Sequence, residues 1–140
     1  MKVLFVAGFG PIISDRQESA AFYRESLGLS FQEETDGYLH TEDLQGVNTF
    51  ALWPLSQVAQ SCFSVNEWPA DLPVPTSWLE FDVEDVAEAS RELQAKGYTL
   101  LIVAKKEPWG QIVTRLLSPE GILVGLTYTP VMRESEAESK

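Results

Sequence analysis

At 140 residues with 44% hydrophobic side chains, the chain is long enough to bury one core and too apolar to be disordered. Its 21 acidic residues against 10 basic ones give a formal net charge of −11. Such a charge repels phosphate backbones and argues against nucleic acid, while favouring solubility or attraction of a cationic small molecule. The single cysteine, Cys62, rules out an intrachain disulfide and a cysteine-based metal site, and reads as a small packed hydrophobe.

Residues 3–13 are apolar and β-branched with Gly8 and Gly10 interleaved, which predicts a strand that bends or is closely approached at the glycines. The Met1–Ala7 run is too short for a signal peptide, and no stretch of about 18 apolar residues is present to span a membrane. The default location is cytoplasmic. Ser14 with Gln17, and Asp15 with Glu18, fit capping boxes, and Ala20, Tyr23 and Leu27 recur at helical spacing up to Gly28. Short strands are expected at 29–34, 37–41 and 48–53, with Asp36-Gly37 as a hairpin turn and a short helix over Ser56–Phe63. Three prolines between Pro69 and Pro75 predict an extended linker.

Past the linker the pattern returns. Residues 78–83 alternate with period two, Asp85 and Glu88 repeat the capping box, and Val86, Ala89 and Leu93 form a helical stripe ending at Gly97. Strands are expected at 98–103, 111–117 and 122–128, the last two joined by Ser118-Pro119-Glu120-Gly121. Asp15 and Asp85 thus open two equivalent units. The expected fold is α+β: two βαβββ modules forming curled mixed sheets around a concave cleft. Module one covers about 1–66, the linker 67–76, module two 77–130, and 131–140 is a frayed acidic tail in one 140-residue domain.

Asp15…Phe22-Tyr23…Leu27-Gly28-Leu29, and Glu107-Pro108-Trp109-Gly110-Gln111 followed by Ser118-Pro119-Glu120-Gly121, resemble the signatures of the vicinal-oxygen-chelate superfamily of glyoxalases, bleomycin-resistance proteins and dioxygenases. The resemblance covers about residues 3–130. It implies two modules around one cleft and, in the family's enzymes, four metal ligands lining it. The positions matching those ligands are Gly8, Trp78, the stretch near Leu52 or Trp53, and Gly125, none of which is a ligand. The chemistry agrees: a ring-cleaving iron site needs two histidines and a carboxylate, and the chain has one histidine, His40. The expectation is therefore no metal and no cofactor.

Strand alternation puts Leu79, Phe81 and Val83 toward a helix, and Trp78, Glu80 and Asp82 into the cleft. It likewise puts Leu123, Gly125 and Thr127 in the cleft. An aromatic ring with two carboxylates suits a flat or cationic ligand, whereas a solvated sheet face would account for the same acids. The ligand-binding candidates are Gly8, Trp53, Trp78, Glu80, Asp82, Glu107, Trp109, Gln111 and Gly125. Trp109 reads as a lid, an anchor or a packed hinge, and Trp68 as a brace for the linker or a subunit contact. His40 with Glu42 at i, i+2 is a weak candidate for a catalytic base and its orienter, against a plain half-exposed strand histidine. The preferred function is binding of a small molecule, without turnover, by a homodimer, with a small-molecule partner and neither nucleic acid nor membrane. The alternatives are a metal-independent isomerase or lyase, a metal-dependent glyoxalase or dioxygenase, and a protein-interaction role for the Trp-Pro linker.

Overall fold

A computed structural model describes residues 1–133. The first module runs through β1 (Val3–Ile13), α1 (Arg16–Ala20), β2 (Gln32–Glu33), β3 (Leu39–Thr41) and β4 (Thr49–Pro54). A helix, α2 (Leu55–Phe63), follows directly on β4. The second module is β5 (Ser77–Val83), α3 (Val86–Ala95), β6 (Ile102–Lys106), β7 (Ile112–Leu117) and β8 (Leu123–Tyr128). All eight strands form one mixed sheet in the order β2-β3-β4-β1-β5-β8-β7-β6. Each module pairs its first and last strands in parallel, β1 with β4 and β5 with β8, and the modules meet where β1 runs antiparallel to β5.

The caps act as their sequence requires. Asp15 accepts from the Glu18 amide and Asp85 from the Glu88 amide, each at 3.0 Å, so each carboxylate satisfies a free donor at a helix start. After Ala20, however, the first helix widens into a π-helical stretch, Ala21–Ser26, with Leu27 donating to the Phe22 carbonyl. The wider turn rotates the next residues out of the 3.6-residue stripe. Ala20 and Tyr23 therefore pack on Ile13, Leu39 and Leu52, while Leu27 is exposed. In α3, which stays regular, Val86, Ala89 and Leu93 all pack on Phe81, Val83 and Leu126, as the stripe predicts.

The strand expected at 98–103 begins at Ile102 instead. Tyr98 donates back to the Leu93 carbonyl, so the helix C-terminal turn consumes these residues. Ala104 then sits at φ 45° in a bulge, its amide bonded to Thr114 Oγ1 at 2.8 Å. With Lys105 and Lys106 beside it, the bulge blunts this edge strand against pairing with another chain.

α1 and α3 cover one face of the sheet. The opposite face carries α2, whose Val58 and Cys62 pack with Ala51, Trp53, Trp78 and Leu123. Residues 64–76 link α2 to β5, and Trp68 braces them: its ring meets Phe63 edge-on and its Nε1 donates to the Pro73 carbonyl at 3.0 Å. Of the expected tail, residues 134–140 lie outside those described. Arg133 is bound to Asp82.

Gly10 is required by close approach. A Cβ there would lie 2.0 Å from the Ala51 carbonyl oxygen on β4, whereas one at Gly8 would meet the far edge of the Trp78 ring at 2.6 Å. Backbone yields less readily than a ring edge. Gly10→Ala is expected to lose about 1–3 kcal/mol or more, and Gly8→Ala less, in thermal unfolding. Equal losses would mean that the β1–β4 approach is softer than it looks.

Candidate functional site

The face beneath α2 gathers most of the residues singled out from the sequence. Gly8 and Gly10 of β1 stand opposite Glu80 and Trp78 of β5, and Glu80 stands beside Gly125 of β8. On β4, Ala51 and Trp53 share this face while Leu52 packs under α1. Trp78 is buried at 3% exposure, its Nε1 donates to the Ala51 carbonyl at 3.2 Å, and its ring fills the space beside Gly8. Trp53 meets it edge-on at 6.0 Å between centroids.

Glu80 and Asp82 both point into this face, but each is engaged by an internal arginine. Arg115 of β7, 1% exposed, donates from Nη1 to Glu80 Oε2 at 3.0 Å, and its guanidinium lies 4.7 Å over the Trp53 ring. Gln111 donates to Glu80 Oε1 at 3.1 Å and to Thr129 Oγ1 at 3.0 Å, while accepting from the Trp109 indole at 3.0 Å. Asp82, fully buried, accepts from Thr127 Oγ1, Thr129 Oγ1, the Thr129 amide and Arg133 Nε. Arg133 also donates to the Val83 carbonyl and lies 4.8 Å over the Tyr128 ring. Both buried carboxylates are thus paired and hydrogen-bonded, as burial demands.

Glu107 is buried at 4% and accepts from Ser61 Oγ of α2 at 3.1 Å. Lys105 donates to the Ser61 carbonyl at 2.8 Å. These contacts hold the C-terminal end of α2 on the β6–β7 hairpin. Trp109, at the tip of that hairpin, is 63% exposed. Burial pushes the Cys62 thiol up to about 11, with Arg115 and Lys105 pulling the other way, so this thiol is inert near neutrality.

His40 lies on β3 next to Ala51 and is removed from Glu80 by the β4 and β1 strands. Its Nδ1 is 2.8 Å from Glu42 and its Nε2 2.7 Å from Glu34, and its ring stacks on Tyr38 at 5.3 Å. Burial works against a charged imidazole, but hydrogen bonds to both glutamates outweigh it and raise the pKa above the usual 6.5. Because the folded value is the higher one, the clamp stabilises fully below about pH 6.5, and the contribution fades as pH rises through the raised value. Melting temperatures of the wild type relative to His40→Gln are therefore expected to show the largest gap near pH 6 and a smaller one at pH 9. A gap independent of pH would mean that the neutral ring does the same work.

The positions that match the family's metal ligands do not fit a metal. Gly8 has no donor and faces an indole, Trp78 donates to backbone, and Leu52 and Trp53 are apolar. A Cβ at Gly125 would meet Glu80 Cγ at 3.0 Å and Arg115 Nη1 at 3.3 Å. Among the described residues no group of three or more His, Cys, Asp or Glu is placed to hold a metal. The residues that organise the site instead, Arg115, Thr129, Arg133, Tyr38 and Ser61, do not stand out in the sequence. The one available signal is an arginine mid-strand in Val113-Thr114-Arg115-Leu116-Leu117, where charge is out of place.

Fold and site together define a two-module βαβββ protein whose shared sheet face is closed by a helix. The chain belongs to the Glyoxalase/Bleomycin resistance protein/Dioxygenase superfamily, whose model matches residues 10–126. Among solved structures it is similar to a superfamily member from Vibrio splendidus 12B01, with a TM-score of 0.56 and 19% identity over 87% of this chain and 96% of that one. It is similar to a methylmalonyl-CoA epimerase variant from Streptomyces coelicolor in complex with 2-nitronate-propionyl-CoA, with a TM-score of 0.54 and 19% identity over 90% and 97%. It is also similar to a NAD-dependent benzaldehyde dehydrogenase from Legionella pneumophila, with a TM-score of 0.56 and 13% identity over 86% and 96%. At these identities the likeness speaks to fold alone. No curated protein matches the sequence. No helix among the described residues is long and apolar enough to cross a membrane.

Proposed function

We propose that the protein is a metal-free, cytoplasmic, homodimeric member of this superfamily that binds a small flat molecule against the face beneath α2, without turning it over. The observation that carries this reading is the Arg115 guanidinium, stacked on Trp53 and paired with Glu80 beside Gly125, at a position where the family's enzymes carry a metal ligand. A fixed cation and two indoles occupy the centre of the face, an arrangement that suits stacking recognition. Of the two ligand characters considered from sequence, flat and cationic, the geometry favours flat, because arginines neutralise both Glu80 and Asp82. Gly8, Trp53, Trp78, Gln111 and Gly125 form the floor of this site, Glu107 holds its cover, and Trp109 stands at its rim.

The reading as a metal-independent isomerase or lyase needs a free base. His40 has both ring nitrogens against carboxylates and a raised pKa, so it favours holding a proton over taking one. The test is elemental analysis with native mass spectrometry of the purified protein. The expected result is substoichiometric metal on a dimer, with a small organic adduct where one co-purifies. Stoichiometric transition metal would overturn the reading.

A further inference from the structure

β1 carries a row of apolar side chains that no described element covers. Val3, Val6 and Phe9 stand opposite Val83, Phe81 and Leu79 of β5, and so share the face on which α3 packs. Strict alternation from Phe9 would turn Val6 to the other face. Two bulges, one between Val3 and Phe5 and one between Val6 and Gly8, each add a residue to β1 and bring all three side chains to one side. α1 packs on Ile13, Leu39 and Leu52, and α3 on Phe81, Val83 and Leu126, so the two helices leave the row between them open. Val3 is 50% exposed, Val6 38% and Phe9 43%, on a strand in the middle of an eight-stranded sheet. Half-buried Phe50, Leu79 and Val124 carry the row across β4, β5 and β8 in register with Phe9. A contiguous apolar floor marks an interface, whereas single exposed apolar residues do not.

Charge decides what fits there. The chain carries a net charge of −11. Yet among the described residues no side chain turned to this face from β1, β4, β5 or β8 is charged. The charges at the end of the floor come in pairs, the Met1 amine with Glu92 at 2.5 Å and Lys2 with Glu84 at 4.0 Å. A cationic partner would find no acid on the floor. A second copy is repelled wherever acids gather, but here it meets an uncharged floor and a rim carrying both signs, which a twofold contact can complement. Strands roughly 4.8 Å apart, taken four wide and about seven residues long at about 3.3 Å each, make a floor of roughly 400 Å². A stable dimer buries about 800 Å² per partner, so the copy also takes up the facing flanks of α1 and α3.

We infer that this face joins two copies of the chain, with Val3, Val6 and Phe9 of each buried against the other. The inference rests on the homodimer reading above and gives that dimer its interface. It sets the two faces beneath α2 on the outside of the dimer, so that neither copy completes the other's site.

Sedimentation velocity of the purified chain over a dilution series reads the assembly. The wild type is expected at twice the 15.6 kDa chain mass. Phe9→Glu sets two like charges in an apolar contact and is expected to raise the dimer dissociation constant by about a hundredfold or more, and Val3→Glu, nearer the rim, by roughly tenfold. Val103→Glu, on the edge strand β6 and exposed to the same degree as Val3, is the control and is expected to leave the constant unchanged. Circular dichroism checks that each variant is folded. Where Phe9→Glu fails to fold, Val3→Glu at the start of β1 decides. A dimer that survives both substitutions, or that Val103→Glu splits, overturns this interface and leaves the homodimer reading intact. A monomeric wild type overturns both, and its sedimentation with phosphatidylcholine vesicles would assign the face to lipid. Stoichiometric metal on a dimer that Phe9→Glu splits supports the interface and overturns the metal-free reading alone.

Discussion

Glu80→Ala is expected to destabilise the fold by about 3–5 kcal/mol, because it leaves the Arg115 guanidinium buried without its countercharge. Glu80→Leu combined with Arg115→Met is expected to recover most of that loss. Removing both charges removes the desolvation cost along with the attraction, and an apolar pair of similar volume packs with Trp53 and Val113. Urea unfolding of Glu80→Leu, Arg115→Met and the double forms a thermodynamic cycle, in which a coupling of several kcal/mol is expected. Additive losses would show that Arg115 finds solvent or another partner once Glu80 is gone. The exposed Arg91–Glu88 pair on α3 is the control, and breaking it should barely move the midpoint.

Asp82→Ala is expected to cost a similar amount, about 3–5 kcal/mol, by a different route. Its carboxylate gathers Thr127, Thr129 and Arg133, and so ties the turn after β8 back onto β5. Without it, a partly buried guanidinium and two hydroxyls lose their acceptor at once. Arg133→Met should cost less, since Asp82 keeps three of its four donors. Equilibrium unfolding ranks the two variants. Hydrogen exchange should show the Thr129–Arg133 segment released in both and the rest of the sheet still protected in Arg133→Met. The reverse ranking would make Arg133, and not the carboxylate, the centre of the cluster.

Local signals carry far in this chain. Asp15 and Asp85, one per module, cap the helices they are expected to cap, because an N-cap needs only a carboxylate three residues from a free amide. Alternation along 78–83 separates Phe81 and Val83, which pack on α3, from Trp78, Glu80 and Asp82, since period-two geometry is a property of the strand alone. Leu27 and residues 98–101 go elsewhere for equally local reasons, a π-helical turn and an extended helix C-terminus, which residue periodicity does not encode.

The chemistry of the site is a different matter. The order of residues is enough to establish the two-module fold, the lack of metal-ligating side chains at Gly8, Trp78 and Gly125, and the face to which each strand residue turns. It takes the packed sheet to bring Glu80 to Arg115, 35 residues away, and Asp82 to Arg133, 51 residues away, and to close α2 over both tryptophans. The difference is one of range. Caps and alternation are set within a few residues of backbone. Whether a buried carboxylate attracts a ligand or neutralises an arginine depends on which side chain the folded chain brings to 3.0 Å from it, as it brings Arg115 to Glu80 and Arg133 to Asp82.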